Sequence, residues 1–370
     1  MIAADRIPLV ASKSSPSPRL IAFYLPQYYP TPYNDEWWGK GFTEWTNAAK
    51  ARPRFRGHYQ PHLPADLGFY DLRLPEVREA QADLARDHGV YGFCYYHYWL
   101  TGRRLLERPL DEVLALGKPD FPFCICWANE NWTRTWDSLN NHVLVAQHYS
   151  DEDDLAHIRH MIPTLEDRRY IRVEGKPLLL LYRVELLPDP KRTAEIWRAE
   201  TLKAGLGDLF LVTVESNAVR TLRDPGSIGF DASVRFQPSA YKFHYSKFER
   251  GLLRLRNLKH RDTIYPYRDL YRFWKAEPPT AYYRRFDSVT PMWDNSARQK
   301  RHAFILRDST PADYEFWLRE VIKKAEPDCE GKKWVFINAW NEWAEGCHLE
   351  PCQKWGRAYL EATKRACDNL

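Results

Sequence analysis

The sequence predicts an α/β fold, a (β/α)8 TIM barrel with long loops after strands 1 and 6. Three observations lead there. Apolar, β-branched and aromatic runs alternate with amphipathic ones along the chain, the order of parallel strands joined by crossover helices. The strand runs number eight, enough to close a barrel. Polar and aromatic clusters directly follow many of these runs, whereas an open doubly wound sheet gathers its ligand at one switch point.

In order, the predicted strands are Leu20–Tyr28, Val90–Trp99, Phe121–Ala128, Lys176–Tyr182, Leu209–Glu215, Ala232–Phe236, Ser288–Trp293 and Trp334–Trp340. Several are apolar without alternation, as in the four leucines of Leu178–Leu181, which suits strands covered on both faces. Helical patterns fall near 75–88, 104–116, 151–168, 191–205, 311–325 and 354–368, while the fifth and sixth crossovers carry no clear pattern. Thr310, Pro311 and Asp313 form a helix start. The acids Asp151-Glu152-Asp153-Asp154 also read as a helix opening, where negative charge favours the dipole. Two stretches exceed ordinary connections. Residues 29–73 are rich in Trp, Pro and Arg and show no helix before Leu74, and residues 237–286 form a basic insertion. Loops this long after strands usually serve as lids or binding walls. Residues 1–18 read as a loose leader and 19–370 as a single domain.

At 370 residues the chain fits one barrel with insertions, and 44% apolar with 28% charged residues excludes a disordered tail, a collagen-like fibre or a coiled coil. Aromatic residues, 15 Trp, 22 Tyr and 17 Phe, are about twice as frequent as in an ordinary chain. The net charge of +5 is unevenly placed: residues 242–277 hold ten Lys or Arg and four Asp or Glu, leaving the rest near neutral. That segment is expected to meet an anionic membrane surface or a lipid-linked glycan, or to be a solvated helical insertion. Seven scattered cysteines without CxxC spacing suit a reducing compartment. No apolar run reaches the roughly 18 residues of a membrane span, and the N-terminus lacks a signal-peptide pattern. A cytoplasmic location, with membrane association through the basic segment, is the expectation.

The strongest chemical signal is Trp340-Asn341-Glu342-Trp343-Ala344-Glu345-Gly346, at the end of the eighth strand. Glycoside cleavage needs one carboxyl protonated toward the leaving oxygen and another ionised as base or nucleophile, so two carboxyls three residues apart at a barrel mouth, between indoles, are candidates. Glu342 and Glu345 are therefore the expected catalytic pair. Trp127-Ala128-Asn129-Glu130-Asn131-Trp132 repeats that grammar after the third strand. Either it forms a sugar subsite, or Asn129 and Glu130 brace the rim by hydrogen bonds. In Tyr95-Tyr96-His97-Tyr98-Trp99 one parity faces the barrel interior and the other the helices. The expected substrate-binding set is Tyr24, Gln27, Glu44, Trp45, Tyr96, His97, Trp99, Trp127, Asn129, Glu130, Trp132, Trp293, Asp294, Asn295, Trp340, Asn341 and Trp343. A sugar ring offers hydroxyls at its edge and C–H groups on its face, which such polar and flat groups match.

Other chemistries lack their motifs: there is no GxGxxG, GxxxxGK, HExxH or GxSxG. Cys347 and His348 beside Glu345 are adjacent ligands without tetrahedral spacing, so no metal is expected, and neither is a cofactor or a nucleic-acid partner.

Together the series Phe23-Tyr24-Leu25-Pro26-Gln27-Tyr28, Gly41-Phe42-Thr43-Glu44-Trp45-Thr46-Asn47, Tyr95–Trp99, Trp127–Trp132 and Trp340–Gly346 resembles the WbsX family, over about residues 19–366. That family is labelled a glycosyltransferase, belongs to bacterial O-antigen and surface polysaccharide clusters, and is itself similar to glycoside hydrolase family 99. The resemblance implies a (β/α)8 barrel and, by way of family 99, endo-acting, retaining hydrolysis of α-mannosides. It places the Glu-Trp-x-Glu pair on Glu342 and Glu345. Glu342 would help the sugar's own 2-hydroxyl attack the anomeric carbon, and Glu345 would be acid and then base. Family 99 has His where this chain has Ala344, which bears on substrate fit. A nucleotide-sugar transferase would be expected to carry a phosphate-binding turn, so label and sequence differ on reaction direction. The alternatives that follow are a glycosyltransferase of lipopolysaccharide or capsule assembly and a non-catalytic glycan binder.

Overall fold

Eight parallel strands close on themselves in the computed structural model, which describes residues 18–134, 139–216, 223–238, 245–257, 262–276 and 282–368. Residues 1–17 of the leader expected at 1–18, and parts of the basic segment (239–244, 258–261 and 277–281), lie outside the described residues. The strands are β1 (Arg19–Tyr24), β2 (Val90–Leu100), β3 (Phe123–Trp127), β4 (Lys176–Leu181), β5 (Phe210–Glu215), β6 (Ala232–Arg235), β7 (Arg285–Val289) and β8 (Trp334–Ile337). Each pairs with its neighbours in sequence, and β8 returns to β1 with Ile21 opposite Phe336. All residues of β3, β5, β6 and β8 are buried, because barrel interior and helix layer cover both faces. The predicted barrel is therefore present. Strands 1, 7 and 8 end three or four residues earlier than their apolar runs, since the chain leaves the sheet to build the rim.

Two helices of seven residues each, α1 (Pro32–Trp38) and α2 (Glu44–Lys50), stand in the first long loop, where the sequence showed none. Thr31 and Thr43 are their N-caps, and each is too short to display a helical period. The remaining helices are α3 (Pro75–Asp87), α4 (Arg108–Leu116), α5 (Asp151–Glu166), α6 (Pro190–Lys203), α7 (Lys247–Asn257), α8 (Arg268–Ala276), α9 (Pro311–Lys324) and α10 (Ala358–Asp368). The caps read from the sequence are in place: Thr310 Oγ1 accepts from Asp313 N–H at 3.2 Å, and α5 opens on its four acids behind Ser150. The predicted helix at 104–116 starts later, because Arg103–Leu105 adds an antiparallel strand to the end of β2. Among the described residues the fifth crossover holds one 3-10 turn, Pro225–Ile228, and the sixth holds α7, the strand Thr263–Pro266 and α8. No helix among the described residues is long and apolar enough to cross a membrane.

Three small pairings rise beyond the C-terminal ends of the barrel strands. Trp132–Arg134 pairs with Leu139–Val145 after β3, and Asn341–Glu342 pairs with Cys347–His348 after β8. The third joins Thr263–Pro266, Phe304–Arg307 and Trp293–Asp294. These rim elements position the site.

Candidate active site

The hairpin after β8 holds the two glutamates. Glu342 lies opposite Cys347, a 3-10 turn spans Trp343–Glu345, and Gly346 closes it with φ +53°. Here the left-handed conformation matters doubly, because a Cβ on Gly346 would sit 2.9 Å from Asp294 Cβ. One 3-10 turn brings residues i and i+3 to the same side, so Glu342 and Glu345 both reach a cavity of about 590 Å³ at the barrel mouth.

Arg298 ties this pair to a third carboxyl. Its Nη2 lies 2.8 Å from Glu342 Oε2, its Nη1 2.7 Å from Glu345 Oε1, and its Nε 2.7 Å from Glu44 Oε1. The arginine follows the 3-10 turn Asn295–Ala297, which Asp294 caps through Ser296 N–H. Glu44 starts α2, and its backbone N–H is bonded to the Gln27 carbonyl. Thus two rim elements bring carboxylates to a guanidinium held on a third. Burial works against the charge of Arg298, but the three carboxylates outweigh it and hold the group well above its ordinary range. One cation cannot neutralise three carboxylates. Burial, with repulsion from Glu345 and Glu44 outlasting the pull of Arg298, raises Glu342 to about 8, and burial also raises Glu44. Burial thus shifts Glu342 toward its protonated form.

Seven expected residues line this cavity: Gln27, Tyr96, Glu130, Trp132, Trp293, Glu342 and Glu345. Glu130 pairs with Arg183, and burial raises its carboxyl. Gln27 Nε2 and Trp293 Nε1 are buried donors without a protein partner among the described residues, available to a ligand's acceptors.

The rest of the expected set is placed elsewhere. Tyr24 faces α3, where its hydroxyl donates to Gln81 Oε1 at 2.7 Å. His97, Trp99 and Trp127 point outward against α5: His97 Nε2 meets His157 Nε2 at 3.0 Å, and the rings of Trp99 and Trp127 lie 4.9 and 4.5 Å from His157. Burial lowers His97 to about 3, so its ring is neutral. Parity decides this, since Tyr96 and the unpredicted Tyr98 take the inward positions. Asn129 braces the rim, accepting from Arg183 N–H and donating to its carbonyl, both at 2.8 Å. Asn341 does the same for Leu25, at 2.8 and 3.0 Å. Trp45, Trp340 and Trp343 are packing groups: Trp45 donates to the Tyr70 carbonyl, Trp340 packs on Phe93, and Trp343 stacks on His348 at 3.8 Å while donating to Glu350 at 2.6 Å. Asn295 accepts from Phe304 N–H. Asp294 lies in a second cavity of about 210 Å³, bound by His58 at 2.6 Å and Gln60 at 2.7 Å. Arg54 N–H donates to His58 Nδ1, which fixes His58 as donor to Asp294 through Nε2.

Sequence reasoning missed Arg298, Arg183, Tyr98, Tyr182 and Phe236 in the main cavity, and Glu350 beneath it. Glu350 is raised to about 7 by burial and accepts from Gln81, Tyr70 and Trp343. Parity could have suggested Tyr98. Nothing local marks Arg298, whose partners lie 254, 44 and 47 positions away along the chain.

Fold and site define the class: a (β/α)8 barrel whose C-terminal mouth is an aromatic-walled cavity with clustered carboxyls. The chain belongs to the glycosyltransferase WbsX family, whose model matches residues 20–363. It is 43% identical over 348 residues to the uncharacterized protein WxcX of Xanthomonas campestris pv. campestris strain B100. That match takes in 94% of this chain but 49% of the relative, so the chain spans about half the length of the curated relatives it matches. Among solved structures it is similar to a family 99 endo-α-mannosidase from Bacteroides thetaiotaomicron, with TM-score 0.56, 16% identity, and coverage of 95% of this chain and 97% of that one. A glycoside hydrolase-like protein gives TM-score 0.57 at 13% identity, covering 99% and 97%. At these identities the likeness is one of fold.

Proposed function

We propose that this chain is a retaining, endo-acting glycoside hydrolase of bacterial surface polysaccharide (O-antigen) metabolism, acting on α-mannoside-like glycans from the cytoplasmic side. The observation that carries the reading is the pair Glu342 and Glu345, held by Arg298 on the wall of one cavity large enough for a sugar chain. By family resemblance Glu345 gives its proton to the leaving oxygen while Glu342 takes the proton of the sugar 2-hydroxyl. That oxygen bonds to the anomeric carbon as the glycosidic bond breaks. Water then opens the anhydro ring, Glu345 removing its proton and Glu342 returning one to the 2-oxygen. A carboxyl raised to about 8 suits the first task, because a stronger base takes a hydroxyl proton more readily once it is ionised. Gln27, Trp132 and Trp293 supply hydrogen bonds and flat faces to the glycan.

The family name favours a second reading, glycosyl transfer, which the same carboxyl pair could perform if an acceptor hydroxyl replaces water. Incubation with α-mannan and bacterial O-polysaccharides, with and without sugar nucleotides, separates the readings. Fragments without a nucleotide support hydrolysis, nucleotide-dependent extension supports transfer, and retention without product leaves a glycan-binding protein.

A further inference from the structure

Helix α7 touches the rest of the protein along one edge. Leu253 packs against the core, and Glu249, on the same side, pairs with Arg272 of α8 at 2.7 Å. Three apolar side chains leave the helix in another direction: Phe248 is 76% exposed, Leu252 43% and Leu255 65%. Spaced i, i+4 and i+7, they fall within an arc of about 60° and form one stripe. Of the exposed cations, Lys247 and Arg254 lie round one flank of the stripe, and Arg250 lies on the side opposite it. Single exposed apolar residues are ordinary, but an exposed apolar stripe flanked by cations is the pattern of a helix that lies in a lipid headgroup boundary.

Charge selects the occupant. In sequence α7 carries four basic residues and one acid, and that acid, Glu249, is already paired. An isologous pair of copies would bring these cations toward one another, whereas an anionic bilayer offers negative charge across the whole face. Position agrees. The helix contacts the strand Thr263–Pro266, whose sheet continues through Phe304–Arg307 to Trp293 at the cavity wall.

We propose that α7 docks the protein on an anionic lipid bilayer, with Phe248, Leu252 and Leu255 entering the headgroup–acyl boundary and the long side chains of Lys247 and Arg254 reaching the headgroups, so that the barrel mouth is carried at the membrane surface. The test is flotation of the full chain with phosphatidylcholine vesicles and with vesicles that also contain phosphatidylglycerol, at low and high salt. Binding is expected to the anionic vesicles, falling with salt. Phe248→Ser, Leu252→Ser and Leu255→Ser together should lower it at least tenfold with the thermal transition unchanged, since these side chains lie outside the core. Lys247→Gln and Arg254→Gln together should remove the preference for anionic lipid. Equal binding to both vesicles, no binding, or a serine variant that floats like the unaltered protein would overturn the proposal. So would a dimer that the serine variant dissociates while neither form binds vesicles.

Discussion

Replacing Glu342 by Gln keeps the shape of the side chain and removes its titration, and it should separate stability from activity. Glu342 is 5% exposed, and burial raises it from 4.5 to about 8 in spite of Arg298 at 2.8 Å. A carboxyl whose folded value lies above its unfolded one contributes stability that is fully present below the unfolded value and is lost as pH climbs through the folded value. At about 1.36 kcal/mol per pH unit, the rise from 4.5 to about 8 sets an upper bound of about 5 kcal/mol on that loss. The amide cannot ionise, so the variant should match the unaltered protein near pH 5 and exceed it by up to about 5 kcal/mol near pH 9. Turnover should vanish at both. Chemical denaturation at the two pH values, followed by circular dichroism, reads the difference. A variant equally or less stable than the parent near pH 9 would refute the electrostatic reasoning.

Removing the cation should act in the opposite direction. Arg298→Leu leaves three carboxyls without their cation, and the loss should approach about 3–5 kcal/mol at alkaline pH, where the raised Glu342 and Glu44 must ionise, and shrink at acid pH, where those two hold protons. An equal loss at both pH values would contradict this. With Glu342 as base, kcat/KM should rise with pH up to about 8; a fall through that value would give Glu342 the acid's role instead. Trp132→Ala, on the cavity wall, should raise KM several-fold, up to about tenfold, with little loss of stability, whereas fully buried Trp127→Ala should cost about 3–5 kcal/mol of stability and leave the KM of the folded fraction unchanged. Unfolding curves and initial rates on the two variants distinguish a binding wall from barrel packing.

The barrel was legible because strands covered on both faces must be apolar throughout, as Leu178–Leu181 are, and amphipathic stretches separate them. The hairpin pair was legible for a local reason: two glutamates three positions apart after a strand end have one short turn in which to sit. Phase was harder. The run Tyr95–Trp99 shows alternation but not which parity faces inward, and the structure turns His97 and Trp99 toward α5 and Tyr96 and Tyr98 toward the cavity. Much of the aromatic surplus proves to be barrel wall. Tyr24, Trp45, Trp127, Trp340 and Trp343 are buried in packing or hydrogen bonded below the mouth. Arg298 was invisible, since an isolated arginine after Asn295-Ser296-Ala297 carries no mark of carboxyls on two other rim elements.

The central claim is that Glu342 and Glu345 break a glycosidic bond with retention. It is tested most directly by following the protein with an α-mannosidic oligosaccharide by proton NMR, alongside Glu345→Gln. The account predicts shorter fragments without any sugar nucleotide, a new reducing end that appears first as the α anomer, and no fragments from the variant. A first product of β configuration, fragments undiminished by Glu345→Gln, or elongation that requires a nucleotide sugar would contradict it.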